Sequence, residues 1–306
     1  MSTPPSAPTA SAGGLTLAEL PTVVAALCDR VGLDPTGAQL IKFTNNAALR
    51  LATAPVVVRI AGSRAARASI TTVVQVARWL TGQDMPAVRL LSGIDQPVEA
   101  AGHVATFWEE VPATGPAPTG ADLGRILRRF HALPEPDFAL PDWAPFPRIR
   151  ARIADAQGIS ARDQEWLLEQ CAAVEAEVRS LDYVLEAGLI HGDPFLGNLI
   201  PGPDGPVLCD FDGVSWGPRE WDLTPVAVGR LRMNYPEDHY TPLADAYGYD
   251  VTAWGGFPVF RRLRELVLVT SVLPQLAGNP GIRAQWEPRY ASFRAGDTRT
   301  RWDTYH

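Results

Sequence analysis

The chain has 306 residues, 46% hydrophobic and 20% charged, a balance that suits a globular protein with a sizeable core and excludes a disordered or fibrous one. Its 27 Lys and Arg against 34 Asp and Glu leave a net charge of −7, which argues against a nucleic-acid partner. No apolar run approaches the ~18 residues of a membrane span, so a soluble protein without a membrane partner is expected.

Residues 1–14, MSTPPSAPTASAGG, lack the basic start and apolar stretch of a secretion signal and are expected to form a flexible tail. Residues 15–31 have the apolar spacing of a helix, with Thr16 and Glu19 in a capping-box pattern. Residues 39–51 and 55–60 predict two strands, the second a β-branched run, Val56-Val57-Val58, followed by Arg59 and Ile60. A helix over 65–81 and strands over 87–91 and 103–111 complete a small α+β lobe at residues 15–112.

The sharpest break in composition is at residues 112–118, PATGPAP, so a second lobe is expected over 113–306. It reads as mainly helical. Leu123, Ile126, Leu127, Phe130 and Leu133 mark one face of a helix starting near Asp122, and a Pro-rich loop covers 134–147. One or two helices are expected over 148–180, and others at 224–232, 242–247, 258–272 and 281–294. Cys28, Cys171 and Cys209 lie apart with no metal or disulfide spacing, as expected of buried thiols in a cytoplasmic protein.

The chemistry concentrates at residues 190–212, IHGDPFLGNLIPGPDGPVLCDFD. Asp193 and Asn198 have the D-x-x-x-x-N spacing of a phosphoryl-transfer loop, and Asp210 follows a turn dense in Pro and Gly that predicts a hairpin. One carboxylate and one amide oxygen could then meet at a hard cation while Asp193 orients a hydroxyl. Arg59 is the cation on an early strand. Lys42, the only lysine, is a weaker candidate for that role because its strand comes first.

Leu189-Ile190-His191-Gly192-Asp193 with Asn198, then Cys209-Asp210-Phe211-Asp212 and Trp221-Asp222-Leu223, resembles the aminoglycoside phosphotransferase family over residues 38–290. That family is a branch of the protein-kinase-like fold alongside choline and homoserine kinases. The resemblance implies a two-lobed α+β fold, with a small β-rich N-terminal lobe and a larger, mainly helical C-terminal lobe. It implies Asp193 as the catalytic aspartate, Asn198 and Asp210 as holders of Mg2+, and Arg59 facing the phosphates of ATP, with GTP left open. Thr44, Asn45 and Asn46 would belong to a flap over the nucleotide. The backbone at Glu109 and Val111 would belong to a hinge meeting the adenine, His191 would be structural, and Asp222 would brace the catalytic loop.

Three departures stand out. The flap has no glycine, the cation is arginine, and the helix containing Gln75 lacks the glutamate that usually pairs with this cation. Asp212 is left between reaching a metal-bound water and facing solvent. His131, Trp216 and Trp221 read as packing residues.

The expected function is a Mg-ATP-dependent O-phosphotransferase acting on a small hydroxylated molecule, either a metabolite or an antibiotic such as an aminoglycoside, where it would confer resistance. From Arg230 onward eight acids face ten arginines, which weighs against a polycationic acceptor. The alternative is a non-catalytic kinase-like binding protein, motivated by the missing glutamate. A protein kinase fits poorly because residues 213–222 leave little room for a peptide-docking segment. The oligomeric state is left open.

Overall fold

The computed structural model describes residues 15–43 and 46–305. They form two compact units: one runs to Pro116 and also includes Ile200–Asp212, and the other comprises Ala117–Leu199 and the chain from Gly213.

The first unit is built on a five-stranded antiparallel sheet of order β1-β2-β3-β5-β4: β1 Gln39–Phe43, β2 Asn46–Arg50, β3 Val56–Ala61, β4 Val98–Ala100 and β5 His103–Glu109. The single strand expected over 39–51 is therefore two, paired with Phe43 opposite Ala47. Residues 87–91 do not form the expected strand. Ala87 bridges Leu208 while Leu90 bridges Trp108, and this division between two partners prevents a continuous ladder.

Strand alternation decides where the site lies. Val56, Val58 and Ile60 of β3 are buried against Leu20, Val23, Val24 and Leu27 of α1, Leu20–Val31, so Arg59 emerges on the other face of the sheet. The Thr16–Glu19 box forms, with the Glu19 amide donating to Thr16 Oγ1 at 3.3 Å and the Thr16 amide to Glu19 Oε2 at 2.9 Å. Ser63 caps α2, Arg64–Gly82, by accepting from the Ala66 amide.

The predicted hairpin is present as β7, Leu199–Gly202, and β8, Gly205–Leu208, after β6, Gly188–Ile190. Leu208 exchanges backbone hydrogen bonds with Pro86 and Val88, at 2.7 and 2.9 Å, which ties residues 200–212 to the first unit although they are distant in sequence.

The second unit is mainly helical: α3 Gly120–His131, α4 Pro145–Ala154, α5 Ala161–Arg179, α6 Glu220–Arg232, α7 Tyr240–Tyr247, α8 Phe257–Thr270 and α9 Pro280–Arg294. β6 pairs there with β9, Ser215–Gly217. α6 starts four residues before the expected position. Its first turn is held by Glu220, which accepts from the Val184 and Leu185 amides at 2.8 and 2.7 Å, and Pro225 is tolerated inside the helix. No described helix is long and apolar enough to cross a membrane.

Candidate active site

In the first unit Arg59 is the centre of a charged cluster. Its Nη1 donates to Asp212 Oδ1 at 2.9 Å, and its Nη2 donates to Asp212 Oδ2 at 2.5 Å and to Asp210 Oδ1 at 3.0 Å. Asn46 Nδ2 donates to Asp212 Oδ2 at 2.9 Å. Burial alone would loosen the proton on Arg59, but the charge of Asp212, then that of Asp210, outweighs it and raises the pKa. The countercharge missing from α2 is thus supplied by the second aspartate of the Asp210-Phe211-Asp212 segment.

Asp210 has a left-handed backbone, φ +68°, which costs a non-glycine residue about 1–2 kcal/mol. Its surroundings hold that conformation: Phe211 is buried with its ring 6.1 Å from that of Trp108, and Arg59 takes the Asp210 carboxylate. Burial pushes the adjacent Cys209 thiol up to about 12, reinforced by the Asp210 charge. Cys28 and Cys171 are buried, whereas Cys209 is partly exposed.

The other residues expected to meet a nucleotide are spread more widely. Thr44 and Asn45 lie outside the described residues. At the end of β5 the Glu109 amide donates to the Arg89 carbonyl, and just beyond it the Glu110 amide donates to the Pro55 carbonyl, both at 2.9 Å, while the Val111 amide has no partner among the described residues. Lys42 is exposed on β1 and forms no ion pair among the described residues.

In the second unit the fully buried Asp222 organises the His191-Gly192-Asp193 turn. Its Oδ2 accepts from the His191 amide at 2.6 Å and from His131 Nε2 at 2.9 Å, and its Oδ1 accepts from the Gly192 amide at 2.8 Å. Trp221 Nε1 donates to the Gly192 carbonyl at 2.8 Å. Because His131 Nε2 faces a carboxylate and its Nδ1 lies 2.9 Å from the Tyr247 hydroxyl, the arrangement assigns the proton to Nε2. Gly192 has φ +89°, and a Cβ there would lie 2.2 Å from the Gly213 carbonyl oxygen, so the turn requires glycine.

This frame presents Asp193 outward, with 53% of its side chain exposed. Arg264 of α8 donates through Nη1 to Asp193 Oδ1 at 2.8 Å. Desolvation would raise the Asp193 pKa, but the charge and hydrogen bond of Arg264 prevail and hold it below the usual carboxylate value. Asn198 is buried, and its Nδ2 donates to the Asp193 carbonyl at 2.9 Å, which fixes the amide and leaves Oδ1 as an acceptor.

The model of the phosphotransferase enzyme family matches residues 41–266, about three-quarters of the chain. The chain belongs to that family.

No curated protein matches this family member significantly by sequence. Among solved structures it is similar to a choline/ethanolamine kinase family protein from Mesorhizobium loti, at 16% identity and TM-score 0.62 over 91% of this chain and 93% of that one. The amicoumacin kinase hAmiN, in complex with AMP-PNP, Ca2+ and Ami, matches at 15% identity and TM-score 0.65 over 88% of this chain and 91% of its own. An aminoglycoside phosphotransferase from Streptomyces rimosus matches at 16% identity and TM-score 0.59 over 81% and 98%. These likenesses establish the kinase-like fold, with its β-sheet N-terminal region and helical C-terminal region.

In this phosphotransferase family member, three residues take places that sequence reasoning had not given them. Asp212 is the partner of Arg59, and its i+2 spacing from Asp210 was the available signal. His131, read as packing, hydrogen-bonds Asp222. Arg264 had no signal, since nothing in Phe260-Arg261-Arg262-Leu263-Arg264 separates one arginine from another.

Proposed function

We propose that the protein is a Mg-ATP-dependent O-phosphotransferase that transfers the γ-phosphoryl group to a hydroxyl of a small molecule. The Arg59–Asp212 pair carries this reading, because it supplies the countercharge whose absence from α2 was the ground for a non-catalytic fold.

The donor atoms suit magnesium. Asp210 offers a carboxylate with 40% side-chain exposure, and Asn198 offers an amide oxygen whose nitrogen is already engaged. Among the described residues no group of three or more His, Cys, Asp or Glu forms a ready-made cage. Magnesium does not need one, since it is commonly held by one or two carboxylates together with waters and substrate phosphates. When bound by Asn198 and Asp210 it would neutralise charge on the nucleotide phosphates.

Asp193 accepts a hydrogen bond from the acceptor hydroxyl and orients its oxygen for in-line attack on the γ-phosphorus. The new P–O bond forms as the bond to the ADP oxygen breaks, and the hydroxyl proton leaves through the Asp193 carboxylate. The depressed pKa of Asp193 suits an orienting role, in which the carboxylate stays ionised until late in the transfer. Arg59, held rigid by Asp212, clamps the donor phosphates. The Val111 amide is available to the base of the nucleotide.

The test is magnesium-dependent ADP release across cationic, neutral and anionic hydroxylated compounds, with GTP run beside ATP. Asp193→Asn should lower kcat by about 10²–10⁴-fold, the contribution typical of such a group, while nucleotide affinity stays near wild type. Wild-type turnover in that variant would overturn the assignment.

A further inference from the structure

Arg264 pairs with Asp193, and the charges of Arg148 and Arg152 are coupled to the same carboxylate. Arg264 of α8 reaches its carboxylate directly, at 2.8 Å. α4 packs against α8, and its Arg148 and Arg152 stand four residues apart and so share one face of the helix. Arg148 acts on the Asp193 carboxylate, and Arg152 feels Arg148, Asp193 and Arg264 together.

Neighbouring arginines on these helices are neutralised. Arg150 pairs with Glu175, Arg262 with Glu177, and Arg261 with Glu265. Arg148 and Arg152 have no ion-pair partner among the described residues, and Arg264 Nε is buried with no hydrogen-bond partner among them. Burial, then the like charge of Arg148, presses the Arg152 guanidinium down to about 10. Asp193 is the carboxylate that these three guanidinium groups share, so a second anion between Arg148 and Arg152 would gain from positive charge that a single carboxylate does not balance. Arginine is also the side chain whose forked donors match carboxylate and phosphate oxygens.

We propose that the acceptor is a small hydroxylated anion, a carboxylate or phosphate monoester, whose negative group binds Arg148 and Arg152 while its hydroxyl meets Asp193. This rests on the phosphotransferase reading and names its substrate class. The same arginines repel choline-like and aminoglycoside-like cations, so specificity comes from rejection as well as attraction.

The experiment is calorimetric titration of the full chain, saturated with Mg and AMP-PNP, with glycerol 3-phosphate, glycerate, glycerol and choline. Wild type, Arg148→Gln, Arg152→Lys and the Arg148→Gln/Arg152→Gln double variant are compared, each checked for folding by circular dichroism. The anions should bind wild type while glycerol and choline do not. The double variant should lose at least tenfold in anion affinity, the exposed single variant Arg148→Gln should lose part of it, and Arg152→Lys should retain most. Unchanged anion affinity in the variants, or choline binding as well as the anions, overturns the proposal. A loss confined to AMP-PNP also overturns it, by giving the arginines to the nucleotide. Failure of wild type to bind AMP-PNP overturns the kinase reading instead, and the anion titration then still decides whether this site exists.

Discussion

Arg59 Nη1 and Nη2 meet the two carboxylate oxygens of Asp212 at 2.9 and 2.5 Å, a two-pronged pair that joins β3 to the segment after β8. A hydrogen bond to a charged group is worth about 1.5–3 kcal/mol, so Asp212→Asn, which keeps the shape and loses the charge, should raise KM for ATP by roughly tenfold or more. Asp204→Asn, on the exposed turn between β7 and β8, is the control and should leave KM unchanged. Steady-state kinetics checks both, and a wild-type KM for Asp212→Asn would remove the pair from nucleotide positioning.

Asp222 is buried and accepts from the His191 amide, the Gly192 amide and His131 Nε2. Asp222→Ala strands three donors away from water and should cost about 3–5 kcal/mol, the scale for breaking a buried charged pair. Urea denaturation should show it as a lower midpoint. His131→Ala should cost less, because the two backbone donors keep their acceptor.

Arg264 sets the protonation of Asp193. The folded pKa of Asp193 lies below its unfolded value, so its stabilising contribution is present above the unfolded pKa of about 4 and is lost as pH falls through the folded value. Arg264→Met removes the charge and hydrogen bond that depress it. The acid limb of the kcat/KM profile should then move to higher pH, and an acid limb that stays where it is in wild type would show that Arg264 does not tune Asp193.

Gly192→Ala adds a methyl group at φ +89°, 2.2 Å from the Gly213 carbonyl oxygen. The backbone must shift by more than a flexible side chain could absorb, so activity should fall to background and the melting temperature should drop. Gly205→Ala serves as comparison. Its φ of +126° is also unfavourable, but a Cβ there meets open space, so its cost should be conformational strain alone.

Much of this was legible from residues 190–212 and their neighbours. The spacing of Asp193, Asn198 and Asp210 is local covalent information, and so are the hairpin, the Thr16–Glu19 box and the alternation that sends Arg59 to the opposite face from Val58. The strand over 39–51 was misread as one because its loose alternation did not reveal that Phe43 pairs with Ala47, and 87–91 was misread because its β pattern said nothing of its divided partners. The start of α6 was placed late because Pro225 masks a first turn held by tertiary contacts of Glu220.

The sequence by itself determined the family, the spacing of Asp193, Asn198 and Asp210 and the two-part α+β architecture, since these rest on short-range spacing and on the period of apolar residues. Only the tertiary structure decided which acid answers Arg59, which residues hold the His191-Gly192-Asp193 turn and which arginine pairs with Asp193. Those partners stand 153, 91 and 71 residues apart in the pairs Arg59–Asp212, His131–Asp222 and Arg264–Asp193. An ion pair needs only that two groups meet at about 3 Å, and nothing in the linear spacing of such distant residues records that they do.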